Sequence, residues 1–124
     1  MKYLLDTHVL LWWYLEPKKL SSAALSVIKN KTNQVYVSDA VVWEIVIKVS
    51  NEKLSIPRDF FSETEKDFEI LPINTKHIYR ISSLEKIHKD PFDRLLIAQS
   101  LEENIPIVTR DQQILKYKTQ LIEA

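Results

Sequence analysis

Asp6, Glu44, Asp93 and Asp111 are the side chains of this sequence whose types and spacing could do chemistry, because each follows closely on a short apolar run or opens the helix after one. Tyr3, Leu4 and Leu5 run into Asp6, and Glu44 lies in the second turn of the segment that follows Val35, Tyr36 and Val37. Asp93 stands in the first turn of a helix opened by Asp90 and Pro91, and Asp111 follows a run ending near Thr109. In open parallel sheets the functional crevice lies outside the carboxyl ends of the strands, so the four carboxylates are expected to converge there. Like charges a few ångströms apart raise one another's pKa and oppose folding unless something neutralises them. A divalent cation does so, and an oxygen donor set without sulfur favours Mg²⁺ or Mn²⁺ over zinc. Such a site can orient and deprotonate water and stabilise the charge that develops during phosphodiester hydrolysis.

Around the acids stand Thr7, Ser38 and Thr109, candidate donors that orient carboxylates or water. Lys48, Arg94 and Arg110 are candidate contacts to the phosphates of a bound strand. They would form the local basic patch that a chain with 17 basic and 17 acidic residues needs in order to handle a polyanion. His8 and His88 lie beside helix starts and are read as hydrogen-bonded structural residues, outside the catalytic set. Trp12 and Trp13 are adjacent and cannot both face one core. One is expected at an interface or in a groove, covered by a protein in preference to serving as a base-stacking platform.

The elements that must position these residues alternate between strand and helix. Strands are expected at 3–5, 35–37, 69–73 (broken by Pro72) and 105–108, and helices at 7–15, 21–30, after Ser38, 75–84 and 91–104. The helix after Ser38 carries one apolar stripe, Val41, Val42, Ile45, Val46 and Val49, with Glu44 and Lys48 on its opposite side. Asp90 and Pro91 form a strong helix start. Pro57 opens a stretch in which Phe60, Phe61 and Phe68 are separated by charged residues, and after a last turn through Ile114 and Leu115 the chain is expected to end in a short tail. Alternating strands and helices imply an α/β sandwich of three layers, with a mainly parallel sheet between helices.

Composition narrows the functional classes. The 124 residues, 45% hydrophobic and 27% charged, suit one domain spanning 1–124 that holds a core without disulfides or a structural metal. With no cysteine, thiolate metal sites and cysteine nucleophiles are excluded. With no glycine, neither a Walker A loop nor a G-x-G-x-x-G fingerprint exists. Asn30, Asn33, Asn51, Asn74 and Asn104 are expected to take over the left-handed positions where glycine usually stands. Asp6 and His8 interrupt the first apolar run too early for a signal peptide, and no stretch is long enough for a membrane span, so a cytoplasmic protein without membrane contact is expected.

Four blocks carry a family resemblance: Asp6-Thr7-His8-Val9-Leu10-Leu11-Trp12-Trp13; Ser38 to Lys48 with Trp43-Glu44-Ile45; His88 to Gln99 with Asp90-Pro91-Phe92-Asp93-Arg94; and Val108-Thr109-Arg110-Asp111. In this order they resemble the PIN-domain ribonucleases, specifically the VapC-type toxins of bacterial toxin–antitoxin pairs. The third block is the most specific of the four. The resemblance implies a five-stranded parallel sheet and metal-dependent endonucleolytic cleavage of RNA. It also implies inhibition by a cognate antitoxin, in a homodimer or a toxin–antitoxin hetero-oligomer. A segment of that antitoxin would lie across the crevice and place a basic side chain among the acids. Carried over by residue, Asp6, Glu44, Asp93 and Asp111 match the acidic quartet, with Asp6 and Asp93 as direct ligands and Glu44 and Asp111 closing the pocket or acting through water. The sequence departs from the family's usual glycines at Asn51-Glu52 and at Asn104, and Ser100 replaces a small apolar residue.

Each acid also has a plain structural reading. Asp6 and Asp111 can cap helices, Glu44 can form an i,i+4 ion pair with Lys48, and Asp93 can answer a helix dipole. For Asp90, capping ahead of Pro91 is the better reading than metal contact. Two other functions remain in view: a non-catalytic PIN-like interaction module, which predicts no metal-linked stabilisation, and a phospho-acceptor regulatory domain. The latter needs an acceptor aspartate ending a middle strand and a lysine opposite it, which this order of blocks does not supply.

Overall fold

The computed structural model describes residues 1–87, 89–117 and 121–124, with the backbone alone at Leu121. Five strands, β1 (Lys2–Leu5), β2 (Gln34–Ser38), β3 (Glu69–Leu71), β4 (Ile107–Thr109) and β5 (Leu121–Glu123), form one sheet in the order β3-β2-β1-β4-β5. All neighbouring pairs are parallel. The connections hold helices α1 (Thr7–Leu15), α2 (Ser22–Lys29), α3 (Asp39–Ser50), α4 (Phe60–Asp67), α5 (Thr75–Ile81), α6 (Pro91–Glu103) and α7 (Gln112–Leu115), with a 3-10 turn at Pro17–Lys19. This is the α/β class expected from the alternation.

Leu4, Leu5, Val37, Ile107 and Val108 are fully buried, as central parallel strands covered on both faces must be. Val9 and Leu10 of α1, Ile45 of α3, and Ile97 and Ala98 of α6 complete the same core. Caps fix where the helices begin. Ser21 accepts the N–H of Ala24, Ser38 that of Ala40, and Asp90 those of Phe92 and Asp93. Among the described residues, no helix is long and apolar enough to cross a membrane.

Several local expectations are corrected. The expected tail is instead β5, bound to β4 through the Ala124 N–H and the Thr109 carbonyl at 2.8 Å. The stretch after Pro57, for which no element was expected, contains α4, whose buried face is Phe60, Thr64 and, at its end, Phe68. Thr64 fills the apolar position by donating its hydroxyl to the Phe60 carbonyl at 2.8 Å. β4 begins two residues later than expected, because Asn104 turns left-handed and Ile105 and Pro106 serve as the approach to the strand.

Of the five asparagines, Asn104 takes positive φ (55°), while Asn30, Asn51 and Asn74 have φ of −74°, −91° and −128°. Asn33 is also outside the positive-φ set. The second left-handed position is Glu52, at φ 59°. Its N–H meets the Val49 carbonyl at 3.1 Å while Lys53 N–H meets that of Lys48 at 2.9 Å, which is the Schellman closure of α3. Asn74 instead opens α5, accepting the His77 N–H. Ser100 is buried within α6 and donates to the Ile105 carbonyl at 2.5 Å, so the polar residue serves the helix end.

Candidate functional site

β1 lies between β2 and β4, the point at which the strand order reverses direction, and Asp6 leaves the sheet there. Ligand crevices form at such switch points. The register Leu5↔Val108 sets Asp6 beside Thr109, and Thr109 donates its hydroxyl to Asp6 Oδ2 at 2.7 Å. Asp6 occupies the N-cap position of α1 without making a side-chain capping bond. Its carboxylate faces the site instead of closing its own helix. Burial is the largest influence on it and raises its pKa, with the nearby Asp111 charge acting in the same direction; the Thr109 bond and His8 oppose this.

Glu44 is buried, at 7% exposure, which corrects its expected place on the outer side of α3. Trp43 (54%) and Val46 (44%) face outward instead. Glu44 Oε1 accepts the Thr7 hydroxyl at 2.7 Å, and Oε2 pairs with Lys48 Nζ at 2.9 Å. The i,i+4 pair is therefore real but anchored on a buried carboxylate. Ser38 touches none of the acids. It donates to Gln99 Oε1 and caps α3, so it positions the helix that carries Glu44.

Asp93 follows the Asp90 cap in the first turn of α6. Its carboxyl is pushed up to about 8, first by burial and then by the charges of Asp6, Asp90, Glu44 and Asp111. Asp93 is thus within electrostatic reach of Asp6, Glu44 and Asp111, and Asp6 within reach of Asp111. Asp111 caps α7 through Oδ1, at 2.7 Å from the Gln113 N–H and 3.3 Å from that of Ile114. Among the described residues, no three acidic or histidine side chains are already disposed to hold a metal ion. The donor set is nonetheless all oxygen, and the Asp93 carboxyl is raised first by burial and then by neighbouring carboxylates, a half-buried acidic surrounding that a hard divalent cation fits.

Of the expected phosphate contacts, Lys48 pairs with Glu44, and Arg94 reaches the carbonyls of Ile81 (3.2 Å) and Glu85 (3.4 Å). Arg110 lines a cavity of about 270 Å³ bounded by Asp6, His8, Trp12, Arg110 and Asp111. Its guanidinium carbon sits 4.6 Å from the Trp12 ring centroid, and the exposed His8 ring stands 5.8 Å from the same indole. Trp13 lines a separate hollow with Pro17, Lys18, Leu25 and Lys29. His88 lies outside the described residues.

A buried polar network was not foreseen from the sequence. His77 is 0% exposed, and its Nδ1 accepts the Asn74 N–H at 3.2 Å and faces Gln99 Nε2 at 3.4 Å. Its Nε2 therefore carries the proton and donates to Glu103 at 3.0 Å. Ser38, Gln99, His77 and Glu103 thus tie β2 to α5 and α6 beneath the acids. The capping spacing of Asn74 and His77 was the available signal.

The chain belongs to the PIN domain family, which matches residues 3–119. It is 26% identical over 121 residues to Ribonuclease VapC22 of Mycobacterium tuberculosis, covering 93% of this chain and 91% of that protein. In fold it is similar to VapBC2 from Rickettsia felis bound to a promoter DNA fragment, with TM-score 0.74, 18% identity and 98% of each chain covered. It is likewise similar to DNA-bound VapBC from Salmonella typhimurium, with TM-score 0.73, 14% identity and 98% and 97% covered.

Proposed function

We propose that this chain is a metal-dependent endoribonuclease, the toxin of a toxin–antitoxin pair, working as one nuclease domain over residues 1–124. The observation that carries the reading is the placing of Asp93, in the first turn of α6, within electrostatic reach of Asp6, Glu44 and Asp111 at the strand-order switch point. The ribonuclease name of the VapC22 relative, which shares 26% identity, supports the choice of RNA.

Asp6 and Asp93 would hold Mg²⁺ or Mn²⁺ directly, with Glu44 and Asp111 closing the pocket. Bound there, the cation supplies Lewis acidity and lowers the pKa of water. The chain's own contribution is orientation and charge. Thr109 fixes the Asp6 carboxylate and Thr7 fixes that of Glu44, so each presents its remaining lone pairs in a set direction. Lys48 offsets the Glu44 charge from the outer side. Asp93, whose carboxyl is pushed up to about 8, would give up its proton to serve as a ligand when the cation is bound.

A cognate antitoxin is the proposed protein partner, in a hetero-oligomer or beside a second copy of this chain. The assemblies of the VapBC fold relatives support it. So do Trp43 and Val46, which share the exposed face of α3.

The test is incubation of antitoxin-free protein with total RNA and Mg²⁺ or Mn²⁺, against EDTA and an Asp93→Asn control. Discrete fragments that require both cation and Asp93 are expected. Folded protein that neither cuts RNA nor melts at a higher temperature with either cation would favour the non-catalytic module.

A further inference from the structure

We propose that the cavity bounded by Asp6, His8, Trp12, Arg110 and Asp111 is a nucleobase subsite, in which one unpaired base of the RNA packs against the Arg110–Trp12 wall. The proposal deepens the RNA-cleaving reading and rests on it.

Arg110 is presented by its face. Its Nε donates to the Ala124 carbonyl at 2.6 Å and an Nη donates to that of Lys19, so two of its N–H donors are engaged by backbone. A phosphate contact through those two N–H groups would break both bonds, and three N–H donors remain. The same bonds hold the guanidinium over the indole at 4.6 Å, with His8 tilted 46° against that ring. Guanidinium planes and indoles are the surfaces on which splayed RNA bases stack.

Charge selects the same class of ligand. Without a cation, the lining sets the two carboxylates of Asp6 and Asp111 against the one charge of Arg110, which disfavours an anionic group and suits the N–H donors of a neutral, planar base. The distance is also right in kind, since Asp6 belongs to both the cavity and the acidic group. A base seated there places its own backbone beside the carboxylates. Trp12 therefore takes the stacking use that its sequence context ranked second to coverage by a protein.

The experiment titrates wild-type protein in EDTA with adenosine, guanosine, cytidine and uridine, and separately with ribose, following the indole N–H signals of the three tryptophans by NMR. Trp12→Phe identifies the Trp12 signal. Saturable displacement of that signal by at least one nucleoside, none by ribose, and about fivefold to tenfold weaker binding by Arg110→Lys are expected. No displacement by any nucleoside, or equal displacement by ribose, overturns the subsite, and this comparison needs no variant. Total RNA is incubated with the cation in parallel. Cleavage without nucleoside binding overturns the subsite alone, and nucleoside binding with neither cleavage nor a cation-induced rise in melting temperature overturns the nuclease reading and, with it, the cavity's role in RNA cleavage.

Discussion

Thr109 donates its hydroxyl proton to Asp6 Oδ2 across 2.7 Å, and the Thr109 hydroxyl oxygen itself accepts the Asp111 N–H at 3.0 Å. One side chain at the end of β4 therefore fixes an acid leaving β1 and the backbone of a second acid. Thr109→Val keeps the shape and removes both bonds. Cation affinity is expected to fall about 10–100-fold and stability by about 1–3 kcal/mol, measured by Mn²⁺ calorimetry and by denaturant unfolding. Unchanged affinity in a folded variant would show that Asp6 needs no orienting partner.

Asp93 makes the cation-free protein sensitive to pH. Its folded pKa of about 8 lies above the ordinary value of 3.8, so the folded state keeps a proton that the unfolded chain releases. Stability from this group is complete below about 4, declines as pH rises toward about 8 and is level above that. Asp6 is shifted in the same direction. Melting in EDTA across this range should show a falling Tm for the wild type and a shallower fall for Asp93→Asn, which should be the more stable protein at the alkaline end. Mn²⁺ affinity should run the opposite way, rising with pH.

The Ser38–Gln99–His77–Glu103 network is expected to support the fold that carries the acids. Gln99→Leu removes the acceptor for Ser38 and leaves that buried hydroxyl without it, at a cost of about 1–3 kcal/mol. Chemical denaturation measures the loss. A stability equal to wild type would mean that Ser38 is satisfied elsewhere.

Glu52 occupies a left-handed position that favours glycine, at φ 59°. Glu52→Gly should stabilise the protein by about 1 kcal/mol, the left-handed penalty less the glycine entropy. Asn104→Gly should gain less, since asparagine tolerates the same region. Equal gains in thermal unfolding would argue against this difference.

The alternation of strand and helix was legible because β1, β2 and α6 announce themselves locally, through apolar runs or through the Asp90-Pro91 start. β5 was not, since its three residues are a strand only by virtue of β4 beside them. α4 was hidden by Thr64, a polar residue at an apolar position that satisfies itself on the Phe60 carbonyl. The acids could be picked out by their places after strands, but the burial of Glu44 could not. Its helix shows a stripe that includes Val46, and only packing against α1 turns Glu44 inward and Val46 out. Nor could the sequence show that two of the Arg110 N–H donors are engaged by the carbonyls of Lys19 and Ala124, which are distant from it along the chain.

The central claim is that Asp6, Glu44, Asp93 and Asp111 act together to take one divalent cation site's worth of charge. Calorimetric titration of Mn²⁺ into wild type, Asp6→Asn and Asp93→Asn tests it most directly. Saturable binding to wild type that is lost in both variants, each still folded, is the expected result. Binding of equal strength in Asp93→Asn, or none in wild type, would contradict it.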